Sequence, residues 1–104
     1  MVIKNANLLT SLKDKTLGLI FRSDQQVVCF KTRFGIHTFG MDRAIIALVL
    51  DNSNKVIKVK ANLAPNRLFF WNPMFDRVVE LPARRVQKIR LGEKLIFVPK
   101  LKNW

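Results

Sequence analysis

Hydrophobic positions in this chain come in short runs and in alternation, the period of extended strands rather than helices. A-I-I-A-L-V-L-D (44–51) is apolar on both faces and reads as a central strand covered from both sides. K-V-I-K-V-K (55–60) alternates instead, with Ile57 and Val59 on one face and Lys58 and Lys60 on the other. The polar D-N-S-N-K between them predicts a hairpin turn, the first strand deep and the second half exposed. Further short strands follow from Q-Q-V-V-C-F-K-T (25–32), R-L-F-F-W (67–71), R-V-V-E-L (77–81), R-V-Q-K-I-R-L (85–91) and K-L-I-F-V (94–98). Their separators N-P-M-F, P-A-R and G-E are turn chemistry. Residues 1–5 supply an opening strand. One short N-terminal helix is expected, with Ser11 and Asp14 as a loose capping box and Gly18 ending it after Leu17. Many short strands and a single helix predict a mainly β, antiparallel sandwich or barrel.

Length adds that this is a single domain: 104 residues bury one core, removing roughly 65% of the extended chain's surface from water. Eight Phe, two Trp and no Tyr put most aromatic area where no hydrogen-bonding handle is needed, so most rings are expected inside. A single cysteine leaves no internal disulfide and no Cys-rich zinc site. The N-terminus has no signal-peptide pattern, and the longest apolar run, 44–50, falls far short of the roughly 20 residues a membrane span needs. A soluble cytoplasmic protein with no membrane span is the expectation. Lysines on an exposed strand discourage edge pairing, which favours a monomer. The net charge of +12 does change the picture, because it draws nucleic acid, anionic membrane surfaces and other polyanions.

Candidate chemistry is sparse. The only histidine sits in G-I-H-T-F-G-M (35–41), bracketed by glycines and crowded by Phe34 and Phe39. Zinc needs three or four ligands, and Cys29, Asp42 and Asp51 share no recognised spacing with His37. A Cys29–His37 nucleophile pair is the other catalytic option, but V-V-C-F is an apolar setting that makes a thiol inert. His37 therefore reads as a core or turn residue satisfied by backbone, and the glycines as positions of positive φ or close strand approach. No catalytic set, metal site or cofactor is predicted. The basic residues Lys58, Lys60, Arg84, Arg85, Lys88 and Arg90 form a candidate polyanion-binding set beside Phe69, Phe70 and Trp71, although adjacent aromatics in R-L-F-F-W must face opposite ways. The bland alternative is a solvated cationic face. Glu80, among apolar neighbours, is costly to bury unless paired, and Arg22 is the candidate partner for a structural ion pair.

In order, G-L-I-F-R (18–22), H-T-F-G-M (37–41), a strand ending L-D (50–51), K-V-I (55–57), E-L-P-A (80–83) and L-G-E (91–93) resemble domain of unknown function 192, across roughly residues 10–98. The resemblance implies a β-sandwich of jelly-roll type and no settled reaction, substrate or cofactor. The chain departs from the pattern at Ile46, where family members carry Asp, at Arg84 in place of Gly, and at Glu93 in place of Asp. An enzyme acting through His37 ranks lowest of three readings, and two functions stand ahead of it. One is a non-enzymatic domain binding a small ligand or peptide around His37, Phe39 and Met41. The other is a basic protein associating non-specifically with nucleic acid through a cationic sheet face.

Overall fold

The apolar run at 44–50 becomes the middle of the molecule. The computed structural model describes residues 2–4, 6–9, 27–33, 35–83 and 89–98. These hold β1 (Val2–Lys4), β2 (Ala6–Leu9), β3 (Val27–Lys31), β4 (Gly35–His37), β5 (Ile45–Leu50), β6 (Val56–Leu63), β7 (Leu68–Phe70), β8 (Arg77–Pro82) and β9 (Ile96–Val98), and no helix. Five strands make one sheet in the order β2-β3-β8-β5-β6. Two ribbons, β1–β9 and β4–β7, complete the strand pairing.

Because side chains alternate across a strand, the central sheet feeds two cores. Val27, Cys29, Leu48, Leu50, Val79 and Leu81 point to one side, where Ile3 and Phe97 of the β1–β9 ribbon and Leu95, just before β9, meet them. Val28, Phe30, Ala47, Val49 and Val78 point to the other, against Phe69 and Trp71 with Ile36 at the margin. All six residues of β5 are buried. Each such Leu, Ile or Val contributes about 1.5–3 kcal/mol through burial, so this strand and its neighbour β8 carry much of the fold.

The mainly β expectation holds, as does the hairpin, with β5 and β6 antiparallel around Asp51–Asn54. The Asp51 carboxylate accepts the backbone N–H groups of Ser53 at 2.8 Å and Lys55 at 2.9 Å, and Asn54 takes a φ of 63°. Arg77 clamps the turn from β8, donating to Asn52 O and Asn54 Oδ1 at 2.9 Å each.

Four details correct the sequence reading. The strand pairing is not wholly antiparallel: β1 runs parallel to β9, and β2 parallel to β3. Parallel neighbours need long connections, and β1 and β9 come from opposite ends of the chain while residues 10–26 separate β2 from β3. Alternation in β6 is broken by a bulge, since Leu50 pairs with Val56 but Val49 with Lys58. Ile57 is the extra residue and packs with the second core, whereas Val59 packs with the first. Strand 85–91 is not formed at Ile89–Leu91, which lead into a turn at Gly92 with φ 85°; residues 84–88 are outside the described set. The helix expected over Ser11–Leu17 lies outside it as well. β2 and β4 had not been foreseen.

Candidate functional site

The glycine-flanked histidine segment forms β4 and the turn after it. Its partner is β7, paired as Gly35↔Phe70, Ile36↔Phe69 and His37↔Leu68. Directly paired residues share a face. Ile36 and Phe69 therefore point inward together onto the second core, and Gly35, His37, Leu68 and Phe70 point outward. The outward face is unusual for its apolar content: Phe70 is 60% exposed, Leu68 55% and Phe39 49%.

Local chemistry fixes these groups in place. A Cβ on Gly35 would lie 2.6 Å from Phe70 Cδ1 and against the Phe69 carbonyl oxygen, so only glycine lets the Phe70 ring rest on the neighbouring strand. His37 stacks on Phe39 with ring centroids 5.0 Å apart and planes 22° from parallel. Its Nδ1 accepts the Phe39 backbone N–H at 3.2 Å. Gly40, at φ 84°, completes the turn. Thr38 is the hidden anchor. Fully buried, it donates its hydroxyl to Ala64 O at 2.7 Å and accepts the Arg67 N–H at 2.9 Å, while backbone bonds join Thr38 to Arg67 and Asn66. The H-T-F-G turn and the A-P-N-R turn are thus locked together by one side chain.

One cation is bonded to the edge of the ribbon and two more are exposed close to it in the chain or the sheet. Lys58 Nζ donates to Phe70 O at 2.9 Å and sits 5.2 Å from the centre of the Phe69 ring, a cation–π contact that ties the edge of the central sheet to β7. Lys60 is in register with Ala47, on the same side of the sheet, and is exposed. Arg67 is exposed next to Leu68. The acids nearest in sequence are already engaged: Asp42 with Arg43 at 3.2 Å and Asp76 with Arg33 at 3.6 Å.

Of the proposed ligand residues, His37 and Phe39 come together in the open, whereas Met41 is half-buried against the second core. Of the proposed polyanion set, Lys58 and Lys60 lie beside the ribbon. Arg90 lies elsewhere, in the turn whose Gly92 and Glu93 bond to Val56 at the start of β6. Arg84, Arg85 and Lys88 are outside the described residues, and so is Arg22. Arg67, Leu68 and Phe70 were missed as a group; the signal was the strand parity of R-L-F-F-W, which exposes one of its two Phe rings.

The potential catalytic groups are dispersed. Cys29 is buried on the first-core side of the central sheet, opposite the ribbon, and burial pushes its thiol up to about 12, with the nearby Glu80 charge adding to the effect. Glu80 lies in the row Val28–Glu80–Ala47, within the central strands rather than at an end. It is 5% exposed, and burial pushes its carboxyl up to about 7. Among the described residues no three His, Cys, Asp or Glu side chains gather as a metal site. No helix among them is long and apolar enough to cross a membrane. Two shallow hollows, one along Asn52–Asn54 and Lys94–Phe97 and one between Arg43–Ala44 and Pro82–Ala83, leave out the ribbon's outward residues.

No family model and no curated protein matches the sequence. Two solved bacterial structures are similar in fold. A protein of unknown function from Novosphingobium aromaticivorans DSM 12444 superposes with a TM-score of 0.63 at 15% identity, over 74% of this chain and 61% of its own. A candidate transcription regulator from Sinorhizobium meliloti 1021 does so with a TM-score of 0.60 at 12% identity, over 78% and 67%. This chain therefore spans about three fifths of the first neighbour's length. At such identities the likeness is one of fold alone, and the first neighbour brings no known function with it.

Proposed function

We propose that this protein is a non-enzymatic domain that binds an anionic ligand on the outward face of the β4–β7 ribbon. One observation carries the reading: exposed rings and Leu68 share one face of the ribbon, Lys58 is bonded to its edge at the Phe70 carbonyl, Arg67 is exposed next to Leu68, and neither strand carries a carboxylate. Open apolar surface beside a cation is the form of a recognition site for a partner that is both charged and flat or apolar. Catalysis is disfavoured because the central sheet stands between Cys29 and His37, so no nucleophile and base meet.

The chain is also proposed to belong with domain of unknown function 192 and to share its jelly-roll-type arrangement. The support is the order of the sequence motifs. Two of them fall at structural joints: L-D closes β5, where Asp51 caps the hairpin, and E-L-P-A runs out of β8. A reduced, buried Cys29 and a lysine-guarded β6 edge fit a cytoplasmic monomer.

A titration with a short heparin fragment tests the binding reading. Replacing Lys60 and Arg67 together (Lys60→Gln, Arg67→Gln) is expected to weaken binding and flatten its dependence on salt. The same affinity and salt slope in wild type and the double variant would refute it. A second reading, a peptide or small neutral ligand at the same rings, predicts binding that is indifferent to salt.

A further inference from the structure

Building on that reading, we propose that the partner of this face is a single strand of nucleic acid. Its bases stack on Phe70 and on the Phe39–His37 pair, and Lys58, Lys60 and Arg67 meet its phosphates. Charge alone would accept any polyanion, so the rings must decide between them. Phe70 is the most informative. A ring 60% exposed is of no use to the core, and it lies over Gly35, where a Cβ would meet both the Phe69 carbonyl and the ring. The Phe39–His37 stack is a second platform, fixed near-parallel by the hydrogen bond between the histidine nitrogen and the Phe39 backbone. Phe70 lies opposite Gly35 and Leu68 opposite His37, so the two platforms are two residues apart, about 7 Å along the ribbon. They are separate stacking positions on one open face.

Sequence-tolerant single-strand binders combine ring platforms for bases with cations along the backbone track. Here Lys58 is bonded to the edge of the ribbon at Phe70 and Arg67 is exposed next to Leu68, while the two acids nearest in sequence are paired with Arg33 and Arg43. A duplex would not use the rings, because its base faces are closed by stacking. An acidic peptide would use the cations but leave the rings in water.

The test is fluorescence anisotropy with a short labelled oligothymidylate, set beside a heparin fragment and polyglutamate as polyanions without bases. Phe70→Ala is expected to weaken oligothymidylate binding about tenfold and leave heparin binding unchanged, while Phe70→Trp keeps or improves the oligothymidylate affinity. Because Phe70 is exposed, Phe70→Ala should melt with the wild type, and that melt certifies the comparison. Oligothymidylate binding unaffected by Phe70→Ala, equal losses for heparin and oligothymidylate, or tighter binding of polyglutamate would each overturn the proposal. Two failures are distinguishable. If heparin still depends on Lys60 and Arg67 while Phe70→Ala is silent, stacking falls and anion binding stands. If neither matters, both fall.

Discussion

β8 and β7 are both short and mostly apolar, yet they have opposite fates. β8 sits between β3 and β5 with cores on both its faces, and every residue after Arg77 is buried, even Glu80. β7 has one strand partner and one core, and Leu68 and Phe70 turn outward on either side of a buried Phe69. The comparison separates two uses of hydrophobic residues. In β8 and β5 they hold the sheet between its two cores. In β7 only every second one does, and Leu68 and Phe70 form an exposed apolar surface with Lys58 bonded at its edge.

The sharpest way to break this comparison is truncation. Leu48→Ala, at a fully buried site in β5, should destabilise the protein by about 2–5 kcal/mol, read from urea unfolding. Leu68→Ala on the ribbon should cost less than about 0.5 kcal/mol. Similar losses at the two sites would mean that the ribbon is as much a part of the core as β5.

Next in size is the effect of pH through Glu80. Its folded carboxyl stays protonated to about pH 7, while the unfolded one ionises near its ordinary value of 4.5. Raising pH between those values takes protons from the unfolded chain first and so favours unfolding. Stability should fall by about 3 kcal/mol across that window and level off above it. In Glu80→Gln that slope should vanish. A slope that persists in the variant would place its origin elsewhere.

Asp51 has the opposite sign and a smaller effect. Hydrogen bonds from Lys55 and Ser53 hold its carboxyl below the ordinary range, so its contribution is present at neutral pH and lost as acid protonates it. Asp51→Ala should cost about 1 kcal/mol at pH 7, measured by thermal unfolding, with the difference from wild type shrinking in acid. A constant difference would mean that the turn does not depend on the carboxylate charge.

How much of this the sequence disclosed follows from the same contrast. β5 was legible because seven consecutive apolar residues leave no face for water, and the hairpin because D-N-S-N-K is turn chemistry. β4 was not, because Gly35–Ile36–His37 carries a single β-branched residue and gains its strand conformation from β7. The bulge at Ile57 was hidden since alternation cannot show a residue skipped by the partner strand. For the site, His37 and Phe39 stood out as a cluster, but their outward position depends on Thr38 anchoring the turn to Ala64 and Arg67, a contact across 26 and 29 residues. The glycines read as positions of positive φ or of close strand approach, and both occur: Gly40 takes a φ of 84°, and Gly35 lets β7 and the Phe70 ring come close.

The most direct test of the ribbon as the binding face is a map of backbone amide shifts during titration with oligothymidylate. The account predicts changes concentrated at residues 35–41 and 67–71 and at Lys58 and Lys60, with the opposite ribbon silent. Changes centred on Lys94–Val98, or spread evenly over every exposed lysine and arginine, would contradict it.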